Sequence, residues 1–365
     1  MTTSTRNRAW PDIAIPPGEL LGEELEARGM SQQELADRMG RPPQMINEVI
    51  RGKKAITQET AVELELVLSI PASFWAASEN SYRLALAQLA ERERLEHDAA
   101  IWLDEFPVAE LERRGLIERF SEPWRQAVEL LKFLGFSSFE QWEAQTAIAA
   151  GLRITNNSRA SRGALSVWLR EGELRGGRQD AEPYDRDAFQ AALVELRAWT
   201  AESAEEFTAE MERRCAGAGV VVTLVREYPK ANATGAARWL RSNKGQIQLS
   251  LRHKTADVFW FSFYHEAEHL LGRRFKGTRV DGFMGIEGDP DEEAACDRFA
   301  RDALIPPSDW VSFTTRGDFT ESSVRSFARS IEIHPGIVAG RLQHEKRVPY
   351  DRLNGSKMRL AWAAS

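Results

Sequence analysis

The sequence predicts a multidomain, mainly α-helical protein in three parts. These are an N-terminal part of short helices over residues 1–94, a helical connecting region over 95–204, and a smaller α+β part over 205–365. Three observations carry that expectation. Helical apolar spacing, interrupted by Gly and Pro, recurs through the first two parts. β-Branched and alternating runs are confined to the third. There, one strongly apolar helix-like stretch, WFSFYHEAEHLLG, carries two histidines four residues apart.

A chain of 365 residues is longer than one ordinary domain and can bury more than one core. No run approaches the roughly 18 apolar residues of a membrane span. The opening MTTSTRNRAWPDIAIPP lacks the apolar segment of a signal peptide, so a cytoplasmic protein without a membrane partner is expected. Cys215 and Cys296 are the two cysteines, which excludes a disulfide framework and a cysteine-rich zinc module. A net charge of -7 excludes a surface basic all round and leaves room for a local basic patch.

In the first part, GELLGEELEARG places leucines at helical spacing up to the stop at Gly29. Ser31 and Glu34 occupy the two positions of a capping box, opening a short helix that Gly40 ends. After the turn RPP, with Pro43 suited to a first helical turn, QMINEVIRG predicts a second short helix stopping at Gly52. Another helix runs from Thr57 to Leu68, capped by Thr57 or Thr60. A capped two-turn helix, a Gly-containing turn and a second short helix make the helix-turn-helix pattern, with a plain bundle of short helices as the alternative. Leu35, Ala36 and Met39 would pack on Ile46, Val49 and Ile50. Between Arg41 and Lys54 four basic residues, Arg41, Arg51, Lys53 and Lys54, face Glu48 alone, a patch suited to DNA phosphates.

The stretch from MSQQELADRMGRPPQMINEVIRG to PASFW and NSYRLALA closely resembles the XRE-type, HigA-like antitoxin DNA-binding domain over about residues 17–90. The resemblance implies a lambda-repressor-like five-helix fold and a double-stranded operator as partner. It also implies that Gln44 and Asn47 point toward base edges, with Met45 and Glu48 nearby. Gln and Asn side chains can each make paired contacts to adenine in the major groove. Pro42 and Pro43 stand where many relatives carry polar residues.

In the connecting region, ELERRGLI, EPWRQAVELLKFLG, FSSFEQWEAQ, SRASRGALSVWLREGEL and RDAFQAALVELRAWT read as successive helices. Residues 176–187 read as a loop by their Gly, Pro and Asp content. Trp124, Trp142, Trp168 and Trp199 sit among leucines and are expected in cores.

In the third part GVVVTLV reads as a buried strand. GQIQLSLRH alternates Ile247, Leu249 and Leu251 with Gln246, Gln248 and Ser250, as a strand with one wet face would. A helix buried on most sides follows from about Asp257 to Gly272, and another opens at Pro290 with acidic residues.

His265 and His269, four apart on that first helix, project from one face and can bind a single ion. Glu266 between them is the expected general base for water activated by Zn2+. Two histidines bonded to carbonyls or water are the alternative, but that leaves Glu266 and Glu268 to be satisfied on a largely apolar helix. Glu293 is the expected third ligand, and Asp297, four residues on, the acceptor for the second ring N–H of a ligand histidine. Asp291 and Glu292 read as residues favouring a helix N-terminus, and Cys296 as a small buried thiol. His334, beside a Pro-Gly turn, is the candidate oxyanion donor, with capping of the following helix as the other reading; His253 and Tyr264 are weaker candidates.

SLRHKTADVFWFSFYHEAEHLL, EEAACDRFARDALIP and FARSIEIHPGIVAGRLQHE resemble the three blocks of the ImmA/IrrE metallopeptidase family over about residues 205–350. The resemblance implies a zincin-like domain with His265, His269 and Glu293 as metal ligands and Glu266 as base. It also implies a zinc-dependent endopeptidase that cuts XRE-type repressors in stress or mobile-element responses. Glu268 departs from the small residue common before the second histidine.

Joined, the two ends predict a transcription regulator carrying a peptidase aimed at a repressor or antitoxin, this chain itself included. A homodimer is expected on paired half-sites, and a HigB-like toxin is a partner by analogy. The competing expectation is a non-catalytic, antitoxin-like regulator whose zincin domain senses a metal or signal. A third is a peptidase whose helix-turn-helix docks its substrate.

Overall fold

The computed structural model describes residues 10–150, 161–272 and 290–362. The chain is mainly helical with one small sheet, and it divides into two compact units.

The first unit comprises the described residues up to Ala100 together with Glu122–Trp124. It contains α1 (Pro17–Ala27), α2 (Gln32–Met39), α3 (Pro43–Ile50) and α4 (Gln58–Leu68). α5 (Ala72–Glu105) follows, and the division between units falls within it. Leu35 and Ala36 of α2 and Ile46 and Val49 of α3 are buried in one apolar cluster, with Met39 and Ile50 packed against it. That cluster holds α2 and α3 in the helix-turn-helix arrangement. Ser31 caps α2 by accepting from the Glu34 N–H, but Glu34 turns its carboxylate to Arg38 and leaves the capping box half formed. Thr57 caps α4.

The expected boundary at residue 94 therefore lies inside a continuous helix of 34 residues. Nothing in ASFWAASENSYRLALAQLAERERLEHDAAIWLDE breaks helical geometry, since it lacks Pro and Gly altogether.

The second unit takes the described residues of Ile101–Ser121 and those from Arg125 on. After α6 (Val108–Arg113), α7 (Pro123–Leu134, in this unit from Arg125) and α8 (Phe139–Ala150) come α9 (Arg162–Arg178), α10 (Arg186–Leu196) and α11 (Ala204–Gly217). The sheet is β1 (Val220–Leu224), β2 (Gly235–Arg241) and β3 (Lys244–Leu249), followed by α12 (Ala256–Gly272), α13 (Pro290–Leu304), α14 (Pro307–Arg316), α15 (Glu321–Ser330) and α16 (Pro335–His344). β3 is central, parallel to β1 and antiparallel to β2.

The expected separation at residue 204 does not divide this unit. Phe189 and Leu193 of α10 and Phe207 of α11 share one core with Val220, Ile247 and the α12 residues Trp260 and Phe263. Nor is the Gln face of β3 wet: Gln246 and Gln248 are both 0% exposed. Their amide groups donate into α9, Gln246 Nε2 to the Gly172 carbonyl at 2.6 Å and Gln248 Nε2 to the Trp168 carbonyl at 2.7 Å. Alternation reports a change of partner across the strand, and here the second partner is a helix instead of water. α9 comes this close because Gly172 has no side chain, as a Cβ there would lie 1.8 Å from Gln248 Oε1. The expected loop at 176–187 is correspondingly shorter, since α9 continues to Arg178.

Trp124, Trp142 and Trp168 are buried and Trp199 packs against the core. No helix among the described residues is long and apolar enough to cross a membrane.

Candidate metal centre and nucleic-acid interface

α12 is buried along most of its length against the sheet and its surrounding helices. Its histidine face turns instead to α13, where the polar residues of both helices meet. His265 Nε2 lies 3.3 Å from His269 Nε2 and 3.0 Å from Glu293 Oε2, and His269 Nε2 lies 3.5 Å from Glu293 Oε1. For zinc–nitrogen bonds of 2.0–2.1 Å, the edge of a tetrahedron is about 3.4 Å. The two imidazole nitrogens thus stand at about the spacing one tetrahedral ion requires, and each has one oxygen of the Glu293 carboxylate at a similar distance.

Asp297 Oδ1 stands 2.9 Å from His265 Nδ1. With that N–H donated to Asp297, the lone pair of His265 is left on Nε2, facing His269 and Glu293. His269 Nδ1 has Glu292 Oε1 at 3.4 Å. Glu292, expected only to favour the helix N-terminus, therefore supports a histidine as well. The donor set fits zinc.

Cys296 Sγ lies 3.5 Å from His269 Nδ1, on the opposite side of the ring from Nε2. Ligand atoms of His265, His269 and Cys296 fall within 4.8 Å of one another, a looser group than the set containing Glu293. Burial, then the charges of Glu293, Glu268, Glu292 and Glu266, push the Cys296 thiol up to about 12. Glu293 is the nearer third donor, with a carboxylate oxygen 3.0 Å from His265 Nε2 and the other 3.5 Å from His269 Nε2.

Glu266 is 9% exposed and lies against the first residue of β2. A Cβ on Gly235 would stand 2.8 Å from both Glu266 Cγ and Oε1. Gly235 was legible only as part of the small-residue run ATGAA, and its role depends on β2 passing beside α12. Glu268 is half-buried; burial raises its carboxyl above the ordinary range, and the nearby Arg186 opposes that shift.

His334 is not brought to this cluster. Its Nδ1 accepts from the Gly336 N–H at 3.0 Å, capping α16, and its backbone N–H donates to Thr200 Oγ1. Asp257 is among the charges it feels, and Asp257 lies eight residues before His265, about 12 Å along the helix. Burial lowers the His334 imidazole below its ordinary value. The expected oxyanion donor is thus a helix cap, because Pro335 at N1 makes His334 the residue that must satisfy the first free N–H. Tyr264 is likewise structural, donating from its buried hydroxyl to the Leu193 carbonyl.

In the first unit α3 has Pro42 as its N-cap residue and Pro43 in its first turn. Gln44 is exposed and donates to Glu48 Oε1 at 3.0 Å, and Asn47 is half-buried. Met45, expected near base edges, is 9% exposed and belongs to the interior. Arg51, Lys53 and Lys54 are exposed at the end of α3. Arg41 differs: it grips Glu63 of α4, with Nη2 at 2.7 Å from Oε1 and Nε at 3.0 Å from Oε2. That pair holds the Glu63 carboxyl below its usual range and gives Arg41 a structural partner in place of a phosphate.

Packed helices α2 and α3 joined by a short turn define the helix-turn-helix class of DNA-binding proteins. Residues 21–75 match the family described as Helix-turn-helix, and through this N-terminal part the chain belongs to that family. Virulence-associated protein I of Dichelobacter nodosus is 37% identical over 76 residues, 20% of this chain and 70% of that protein. The uncharacterized HTH-type transcriptional regulator YddM of Escherichia coli (strain K12) is 31% identical over 72 residues, 20% of this chain and 77% of that protein. The solved structure of Pseudomonas aeruginosa antitoxin HigA with higBA promoter has 29% identity, covering 24% of this chain and 95% of that chain, with a TM-score of 0.22.

Proposed function

We propose that this protein is a DNA-binding transcription regulator whose second unit is a zinc-dependent endopeptidase of ImmA/IrrE type, cutting a repressor or antitoxin-type protein. The observation that carries the catalytic part is the mutual spacing of 3.0–3.5 Å among His265 Nε2, His269 Nε2 and the Glu293 carboxylate. In this reading His265, His269 and Glu293 hold the ion and Asp297 orients His265. When bound, zinc supplies Lewis acidity, lowering the pKa of a water molecule from about 15.7 to about 7. Glu266 takes the proton from the attacking water and passes it to the leaving amine, and Gly235 leaves space for its carboxylate. The buried aromatic side of α12 keeps that helix fixed while the reaction proceeds. The test is incubation of zinc-loaded protein, and of protein stripped with a chelator, with XRE-type repressors. Mass spectrometry should find discrete cut sites with the first sample alone, and cuts that persist after stripping would sink the zinc reading.

Gly235→Ala is expected to reduce cleavage by about 10- to 100-fold at unchanged zinc content, because displacement of a catalytic group by about 1 Å costs on that order. An unaltered rate would remove Gly235 from the site.

The DNA-binding part rests on the family match and on the exposed face of α3. Operators selected from random sequence should bind at least about tenfold more weakly to Gln44→Ala plus Asn47→Ala. Lys53→Ala and Lys54→Ala should instead weaken binding to all sequences alike, each reducing the salt slope by about one. Homodimeric binding to paired half-sites and pairing with a HigB-like toxin are part of the same proposal.

A second reading is favoured by Cys296. Ligand atoms of His265, His269 and Cys296 lie within 4.8 Å of one another, and with Glu293 they would make four protein ligands, a closed, non-catalytic site. A sulfur-to-metal charge-transfer band in the cobalt-substituted protein, lost in Cys296→Ser, would support this sensor; its absence favours the peptidase.

A further inference from the structure

The seam between α12 and α13 continues beyond the histidines. One turn before His265 on α12 stands Phe261, and four residues after Asp297 on α13 stands Arg301, and both line a cavity of about 220 Å³ closed by α16. Its apolar walls are Val258, Phe261, Leu304, Ile305 and Ile337, and Asp257, Gly340, Arg341 and His344 complete the lining with Arg301. The Phe261 ring centroid is 6.3 Å from that of His265, so one wall of the cavity packs near a candidate metal ligand.

Resting on the peptidase reading, we propose that this cavity is the specificity pocket for a large apolar side chain, Leu, Met or Phe, next to the bond that is cut. The same substrate carries a carboxylate within reach of Arg301. Size supports the first half. A cavity of about 150 Å³ lined by apolar residues already accepts benzene, so a volume of about 220 Å³ suits a Leu or Phe side chain and leaves Ala with most of the space unfilled.

The polar groups support the second half. Arg301 is half-buried and makes no ion pair among the described residues. Arg341 beside it is already engaged, by Glu345 at 3.0 Å and by the carbonyls of Arg301 and Ile305 at 3.2 Å. The free guanidinium is therefore the one at the pocket, where a carboxylate can make a charge-assisted pair. Asp257, 8% exposed, also lines the cavity. Its Oδ2 meets Lys357 Nζ at 2.7 Å while its Oδ1 has no partner among the described residues.

The experiment measures equilibrium binding to full-length Glu266→Gln protein by ligand-observed NMR. The probes are N-acetyl-Phe-Asp-amide, its Ala-Asp counterpart and its Phe-Asn counterpart. The Phe-Asp probe is expected to bind at least about tenfold more tightly than Ala-Asp, the scale on which apolar pockets discriminate. Ile337→Trp, which fills the cavity, should remove that preference. Arg301→Glu, a rim substitution that leaves the core intact, should remove the preference for Asp over Asn and keep the preference for Phe. Equal binding of the Phe and Ala probes overturns the pocket, and so does a Phe preference that survives Ile337→Trp in a folded protein. Equal binding of the Asp and Asn probes to the unsubstituted rim overturns the role of Arg301. Selective binding without any cleavage by the zinc-loaded wild type upholds the pocket and defeats the catalytic reading alone.

Discussion

Glu266→Gln should lower peptide cleavage by about 100- to 10,000-fold while zinc content stays at that of the wild type. A positioned general base contributes on that order, and the amide is nearly the same size as the carboxylate it replaces. Gln would fit the space beside Gly235 and still be unable to take a proton. His265→Ala should behave differently. It removes one of three donor atoms and leaves Asp297 without its imidazole partner, so zinc itself should be lost. Measuring metal stoichiometry beside rate separates the two roles. Unchanged zinc in His265→Ala would refute the ligand set, and an unchanged rate in Glu266→Gln would refute the base.

The second large effect lies away from the histidines. Arg114→Met should destabilise the second unit by about 3–5 kcal/mol, the cost of breaking a buried ion pair by removing one partner. Glu171 is 1% exposed and receives Arg114 Nη1 at 3.1 Å, Arg175 Nη2 at 2.5 Å and the Tyr228 hydroxyl at 2.6 Å. Arg114 also donates to the carbonyls of Arg226 and Glu227 at 2.9 Å and stacks on the Tyr228 ring. It therefore ties the segment after α6 to α9 and to the chain that leaves β1. Burial raises the Tyr228 hydroxyl above its ordinary range, and Glu171 adds to the shift, so this partner stays a donor. Arg114→Lys should recover little, because a single ammonium cannot reach the carboxylate and two carbonyls together. Faster hydrogen exchange in α9 and β1 is the readout, and wild-type protection in Arg114→Met would show the network to be incidental.

Neither Arg114 nor Glu171 was marked by the sequence. Arg114 and Glu171 are 57 positions apart, and each looks like an ordinary charge on a helix. The same limit explains the other differences. Gln246 and Gln248 read as solvent-facing because period-two alternation distinguishes two faces of a strand and says nothing about what covers the second. Arg41 read as a phosphate contact because it is basic and beside α3, while its partner Glu63 lies 22 residues away. His334 read as an oxyanion donor because it stands beside a Pro-Gly turn, and of its two readings the structure shows the cap, set by local chemistry at a Pro-led helix.

What the sequence by itself determined was set by short-range physics. The caps at Ser31 and Thr57, the Gly stops and the i, i+4 placement of His265 and His269 all act within a few residues, so the helix-turn-helix and the histidine face of α12 were legible before any fold was known. The pairing of Glu293 and Asp297 with those histidines was reachable too, because four-residue spacing puts them on one face of α13. Only the tertiary structure decided the rest. It brought Glu292 to His269, set Gly235 beside Glu266, turned Met45 inward and opened the apolar cavity between α12, α13 and α16. Each of these depends on how close two separate elements approach, and that distance is fixed by packing among residues far apart in the chain.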